Sequence, residues 1–172
     1  MGGYSQEREI SLKSGAQVMR HVDSNRFKIY AIDISAKGWY CEVDSKRIAI
    51  DRADFSANLN GEKISFDLIF NAIHGTPGED GVLQAYFDLL GIKYTGSNSY
   101  VSALSFNKRD LLSVTSDIGV PRAKHLSLNK GQTLSTEEIE KVGFPCFVKA
   151  NRSGSSLECT RSSQKKSCSR QF

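Results

Sequence analysis

Phe66-Asp-Leu-Ile-Phe-Asn-Ala-Ile-His74-Gly-Thr-Pro-Gly-Glu-Asp-Gly81 is the stretch on which the architecture depends. Its first half is a nearly unbroken apolar run, short enough for a strand. Such a run suits a strand buried on both faces, as at the centre of a parallel sheet. The strand is expected to end at His74 and pass into a loop containing Gly75, Pro77, Gly78, Glu79, Asp80 and Gly81. In open α/β sheets, ligands gather beyond the carboxyl ends of the strands. A histidine there, followed by two acids in a glycine-rich loop, is therefore a candidate site. The same residues are equally compatible with a tight strand-to-helix turn.

The flanking sequence extends this pattern. After the loop, Leu83, Tyr86, Phe87 and Leu90 share one helical face over Val82 to Leu90, with Asp80 placed to cap the start and Gly91 the end. Acids at a helix start also complement its dipole, which gives Glu79 and Asp80 a structural reason. Ile92 to Thr95 reads as a short strand, followed by a loop at Gly96-Ser97-Asn98-Ser99 and more helix. Upstream, Leu12, Gly15, Ala16 and Met19 follow helical spacing, and Phe27 to Ile34 reads as a second buried strand. A helix leading into a parallel strand requires a strand before it. The expectation is that such a strand precedes the Gly2-Gly3 pair. Gly38 to Val43 and Arg47 to Asp51 predict a hairpin around Asp44-Ser45, while Asp54 to Gly61 is too mixed to assign.

Further along, Lys108 to Ile118 is expected to be helical, with Leu111, Val114, Thr115 and Ile118 on its apolar face. Ser135 to Glu138 has the pattern of a capping box opening a helix that stops at Gly143. Phe144 to Ala150 then reads as a strand running into Asn151-Arg152-Ser153-Gly154-Ser155-Ser156. Hydroxyl and glycine residues after a strand ending in Lys149 suggest a phosphate-binding loop, where backbone N–H groups and an ammonium meet an anion. A plain turn satisfies the same residues. From Glu158 to Phe172 there is no aliphatic residue, and this segment is expected to be disordered.

Composition excludes several classes. The chain has 172 residues, 39% hydrophobic and 24% charged, as in an ordinary soluble globular protein. Its formal charge is +4, but Glu158 to Phe172 carries four basic residues against one acid, which leaves the rest near +1. With no aromatic interleaving, a nucleic-acid role is not expected. No apolar run approaches a membrane span, and Gln6 stands where a myristoylation motif wants Ser or Thr. Cys41, Cys146, Cys159 and Cys168 show neither CxxC nor zinc spacing, and no secretory signal opens the chain, so reduced thiols in a cytoplasmic protein are expected.

Four segments together resemble the D-alanine-D-alanine ligases of the ATP-grasp superfamily. They are Gly2-Gly-Tyr-Ser-Gln-Glu7-Arg-Glu-Ile-Ser-Leu-Lys-Ser-Gly15, Ala72-Ile-His74-Gly-Thr-Pro-Gly-Glu-Asp-Gly81, Tyr94-Thr-Gly-Ser97, and Val148-Lys149-Ala-Asn-Arg-Ser-Gly-Ser155-Ser156. Four motifs in order at sensible spacing make a specific signal. The resemblance implies a Rossmann-like α/β pre-ATP-grasp N-terminal domain with a parallel sheet over residues 1–104. It further implies the start of an ATP-grasp central domain over 105–157, ahead of a tail at 158–172. A first β-strand normally precedes the Gly-Gly pair in this family.

The resemblance also implies chemistry. The family uses ATP to activate the carboxylate of one D-alanine as an acyl phosphate, which the amine of a second D-alanine then attacks, for peptidoglycan precursor synthesis. Glu7 matches the glutamate holding the first D-alanine's ammonium. His74 matches the histidine beside its carboxylate, and Ser155 the serine linked to Glu7 over the substrate; Glu7 and Ser155 are the catalytic candidates. Lys108 and Lys149 match lysines on the ATP phosphates, and Ser156 lies in the covering loop. Asn107 departs from the aspartate common before that lysine. Magnesium is a family cofactor whose ligands lie outside the matching segments, so no metal ligand is assigned here. The full-length family is expected to be homodimeric.

Where the family continues with glycine after Ser-Ser-hydrophobic, this chain has Glu158 and the resemblance ceases. A shifted reading frame near Leu157 would produce that switch, and a truncated, inactive ligase is expected. Alternatives are an ATP-grasp ligase making D-alanyl-D-lactate or D-alanyl-D-serine, or a non-catalytic α/β binding fragment.

Overall fold

A computed structural model describes residues 1–44, 46–154 and 159–162. The chain divides into two compact units, Met1–Ser105 and Phe106–Phe172.

In the first unit, α1 (Arg8–His21) leads to β1 (Ala31–Ser35), β2 (Gly38–Val43), β3 (Lys46–Asp51), β4 (Ser56–Leu59) and β5 (Glu62–Ile64), then α2 (Val82–Leu90) and α3 (Ser99–Phe106). The five strands form an antiparallel meander in chain order. The hairpin expected at Asp44-Ser45 is present, pairing Val43 with Lys46, and Asp44 has a positive φ of 48°. The unassigned segment at Asp54 to Gly61 contributes β4 and the turn into β5. Asn60 and Gly61 both have positive φ there, as the turn of a tight hairpin demands.

Among the described residues, parallel pairing is confined to two bridges, Gly2 to Ile34 and Ile69 to Tyr94. The fold is α/β, but the Phe66 to His74 run is no strand buried on both faces. Ile69 donates its N–H to the Lys93 carbonyl and accepts from Thr95 N–H, so that side is paired. Leu68 and Phe70 are 54% and 56% exposed. They line an apolar cavity of ≈ 690 Å³ together with Val18, Met19 and Phe27. Among the described residues no strand pairs on that side. Phe27 to Tyr30, expected to belong to a second buried strand, is likewise irregular, and Phe27 is exposed.

The core gathers around Phe55, Phe87, Ile34, Cys41, Ile73 and Leu83. Phe55 meets Phe87 edge-on at 5.0 Å between ring centroids and also contacts Trp39, Phe66 and Tyr86. Asp33 is a buried ionic anchor: Arg8 lies 2.8 Å and Arg47 3.2 Å from its carboxylate, which ties α1, β1 and β3. Helix α2 has the expected bounds and an αL Gly91 cap. Its N-cap, however, is Gly81 without a side-chain cap bond; Asp80 instead accepts the Val82 N–H at 3.3 Å.

In the second unit, α4 (Lys108–Asp117) and α5 (Thr136–Val142) precede β6 (Cys146–Lys149) and β7 (Cys159–Ser162). Both sides of the capping box are made between Ser135 and Glu138. No residue of α4 is buried, and Val114 and Ile118 of its expected apolar face are exposed. Within the tail expected to be disordered, Cys159 to Ser162 instead pairs antiparallel with β6. A ladder is held by main-chain hydrogen bonds, and these need no aliphatic side chains. Glu158 and residues 163–172 lie outside the described residues.

Candidate functional site

Helix α1 opens at Glu7, its N-cap residue, and presents Ser11 and Gly15 on its buried face. The i, i+4, i+8 spacing puts the Glu7 carboxylate, a hydroxyl and a bare backbone on one stripe. Glu7 is 2% exposed, and its Oε1 is buried with no hydrogen-bond partner among the described residues. A buried carboxylate oxygen without a donor is costly unless a cation or donor reaches it.

Two serines join Glu7 to His74. Ser5 Oγ accepts the Glu7 N–H at 3.1 Å and donates to the His74 carbonyl at 3.1 Å. Ser11 Oγ donates back to the Glu7 carbonyl at 3.2 Å and accepts the His74 N–H at 2.8 Å. A third, Ser14, has its Oγ 3.0 Å from His74 Nε2. Two of the residues singled out in the sequence are therefore locked together by hydroxyls that were not.

The loop after His74 is held just as closely. Gly75 has φ of +73° and donates its N–H to Glu79 Oε2 at 2.6 Å. Glu79 therefore braces the loop and is no helix-start residue. The Gly78 carbonyl accepts from Asn71 Nδ2 at 2.7 Å and Gln84 Nε2 at 2.6 Å, and Tyr4 N–H reaches the Thr76 carbonyl at 2.9 Å. The signal for Ser5, Ser11 and Ser14 lay in the sequence as hydroxyls on or beside an otherwise buried helix stripe, where a polar residue needs a partner.

In the second unit, the Lys108 ammonium donates to the Ser153 carbonyl at 2.6 Å and lies 3.4 Å from that of Asn151. Asn151 also accepts the Arg109 N–H and donates to Asn107 Oδ1. Lys108 and Asn107 thus fasten the turn that follows β6. Lys149 alternates outward with Phe147, its Nζ 5.7 Å from the ring centroid. Lys108 and Lys149 both border this turn. Ser155 and Ser156 lie outside the described residues. No cluster of three or more His, Cys, Asp or Glu that could hold a metal occurs among the described residues. Among the described residues no helix is long and apolar enough to cross a membrane.

An α/β unit that buries an unpartnered carboxylate beside a braced histidine loop has the features of a small-molecule-binding domain. The chain belongs to the family described as D-ala D-ala ligase N-terminus, which matches residues 1–97. A D-alanine--D-alanine ligase of Flavobacterium johnsoniae is 52% identical over 159 residues, covering 91% of this chain and 49% of that protein. The solved D-alanine-D-alanine ligase from Coxiella burnetii superposes with a TM-score of 0.85 at 26% identity, over 99% of this chain and 57% of that one. A Bacillus anthracis D-alanine--D-alanine ligase solved with ATP is 25% identical, with a TM-score of 0.69 over 98% of this chain and 50% of that one. The chain spans about half the length of the curated relatives it matches.

Proposed function

We propose that this chain is the first-substrate part of a cytoplasmic, ATP-dependent D-alanine–D-alanine ligase of peptidoglycan synthesis. The observation that carries the reading is Glu7 Oε1, buried and unpartnered at a helix start. An α-amino acid supplies the ammonium that such an oxygen lacks. In the ligase reaction one D-alanine carboxylate attacks the γ-phosphate of ATP, giving an acyl phosphate and ADP. The second amine then displaces phosphate through a tetrahedral intermediate. Glu7 fixes the first substrate by its ammonium, and His74 donates to its carboxylate. Restricting both ends of so small a molecule aligns it for in-line attack.

Lys149 supplies charge to the ATP phosphates. Lys108 contributes there while fastening the loop through the Ser153 carbonyl. Ser155 and Ser156 keep the substrate and phosphate roles that the family resemblance implies for them. Residues 1–104 serve substrate binding and 105–157 open the nucleotide-binding part. The magnesium ligands and the determinants of the second substrate belong to the part of the family fold that this chain does not span, and the full-length protein is a homodimer.

The 172-residue chain is expected to bind D-alanine and not to turn it over. Calorimetry with D-alanine and L-alanine, on wild type and Glu7→Gln, tests this. Binding of D-alanine that is lost in E7Q, with no D-alanine-dependent ADP release, is the expected result. Equal D-alanine binding by wild type and a folded E7Q would sink the assignment of Glu7, and ADP release from the pure chain would refute the inactive reading.

A further inference from the structure

We infer that Ser14 is a positioning residue that keeps the ring proton of neutral His74 on Nδ1. The inference rests on a contrast between two serines on α1. Ser11 Oγ donates its hydrogen to the carbonyl four residues back, at Glu7, and so can only accept from His74. Ser14 makes no such back-bond. Its one hydrogen-bonding contact among the described residues is His74 Nε2 at 3.0 Å.

A serine hydroxyl has one hydrogen to give, and in the observed rotamer of Ser14 the one hydrogen-bonding contact among the described residues is Nε2. Given to Nε2, that hydrogen requires a lone pair there. In a neutral imidazole the proton then sits on Nδ1, because the partner of one nitrogen decides the state of the other. Nδ1 itself has no hydrogen-bond partner among the described residues, so its N–H remains available. The His74 main chain cannot shift to undo this arrangement, since its N–H and carbonyl are held by Ser11 and Ser5. In the ligase reading the Nδ1–H is the donor offered to the D-alanine carboxylate. That last step rests on the proposed function; the tautomer does not.

The test is two-bond ¹⁵N–¹H correlation NMR of the imidazole on the full 172-residue chain at alkaline pH, where the ring is neutral. The expected result is an Nδ1–H pattern in wild type, retained in Ser14→Thr and shifted toward Nε2–H in Ser14→Ala, with backbone amide shifts elsewhere unchanged. An Nε2–H pattern in wild type overturns the inference without any variant. An unchanged pattern in a folded S14A also overturns it. Adding D-alanine should move the Nδ1–H resonance. If it does not, the carboxylate contact falls while the assignment of Ser14 stands.

Discussion

At Gly75 a side chain is excluded twice. Its φ of +73° lies in the left-handed region, and a Cβ there would sit 2.5 Å from Ser5 Oγ and 2.9 Å from Glu7 Oε2. The first conflict alone costs about 1–2 kcal/mol in a residue other than glycine. The second pushes on the serine and carboxylate that the proposed site depends on. Gly75→Ala is therefore expected to lose about 1–3 kcal/mol of stability by urea denaturation. It should also weaken D-alanine binding by about tenfold or more, equivalent to about 1.4 kcal/mol. A destabilised variant with wild-type affinity would show that the Gly75 to Glu7 approach has no bearing on the ligand. Gly61, which has no neighbour within 4 Å of its hypothetical Cβ despite a φ of +91°, makes the control, since substitution there meets only the backbone conflict.

Among the elements, the two hairpins and α2 meet at Phe55. It is a bulky residue at φ of +55°, a conformation disfavoured for such side chains, and four aromatic rings surround it. Phe55→Ala should cost about 3–5 kcal/mol, the range for emptying a buried phenylalanine site. A loss below about 1 kcal/mol in chemical denaturation would mean the neighbouring rings collapse into the space. Nothing in Asp54 to Gly61 announced this role, because its ladder residues mix apolar and polar types without clear alternation. The β2–β3 hairpin, α2 and the Ser135 capping box were legible, since local periodicity and turn chemistry dictate them. The paired state of Phe66 to Ala72 was not, because burial of a strand depends on neighbours supplied from elsewhere in the chain. The candidate site was legible as Glu7 and His74. The hydroxyls that bind them together carried only the weak signal of polar residues on a buried stripe, since a serine on a helix is usually solvated.

In the 172-residue chain taken as a whole, the amino group of Met1 ties protonation to folding. The ammonium donates to the Ile32 carbonyl at 2.9 Å, inside the first unit. Burial outweighs the attraction of Asp33 and pushes its pKa from 8.0 down to about 6. Between those values the folded chain holds fewer protons on this group than the unfolded chain does. Unfolding then takes up a proton, so stability rises with pH from about 6 to 8 and falls as the amine is forced to ionise in place. The full span corresponds to roughly 2–3 kcal/mol. Acetylating Met1 removes the charge and keeps an N–H for the Ile32 carbonyl. The difference between free and acetylated chains, followed by urea denaturation across this window, isolates the Met1 contribution. The acetylated chain should be the more stable below pH 6, with the two converging above pH 8. Parallel profiles would mean that water reaches the ammonium and that the contact with Ile32 carries no pH dependence.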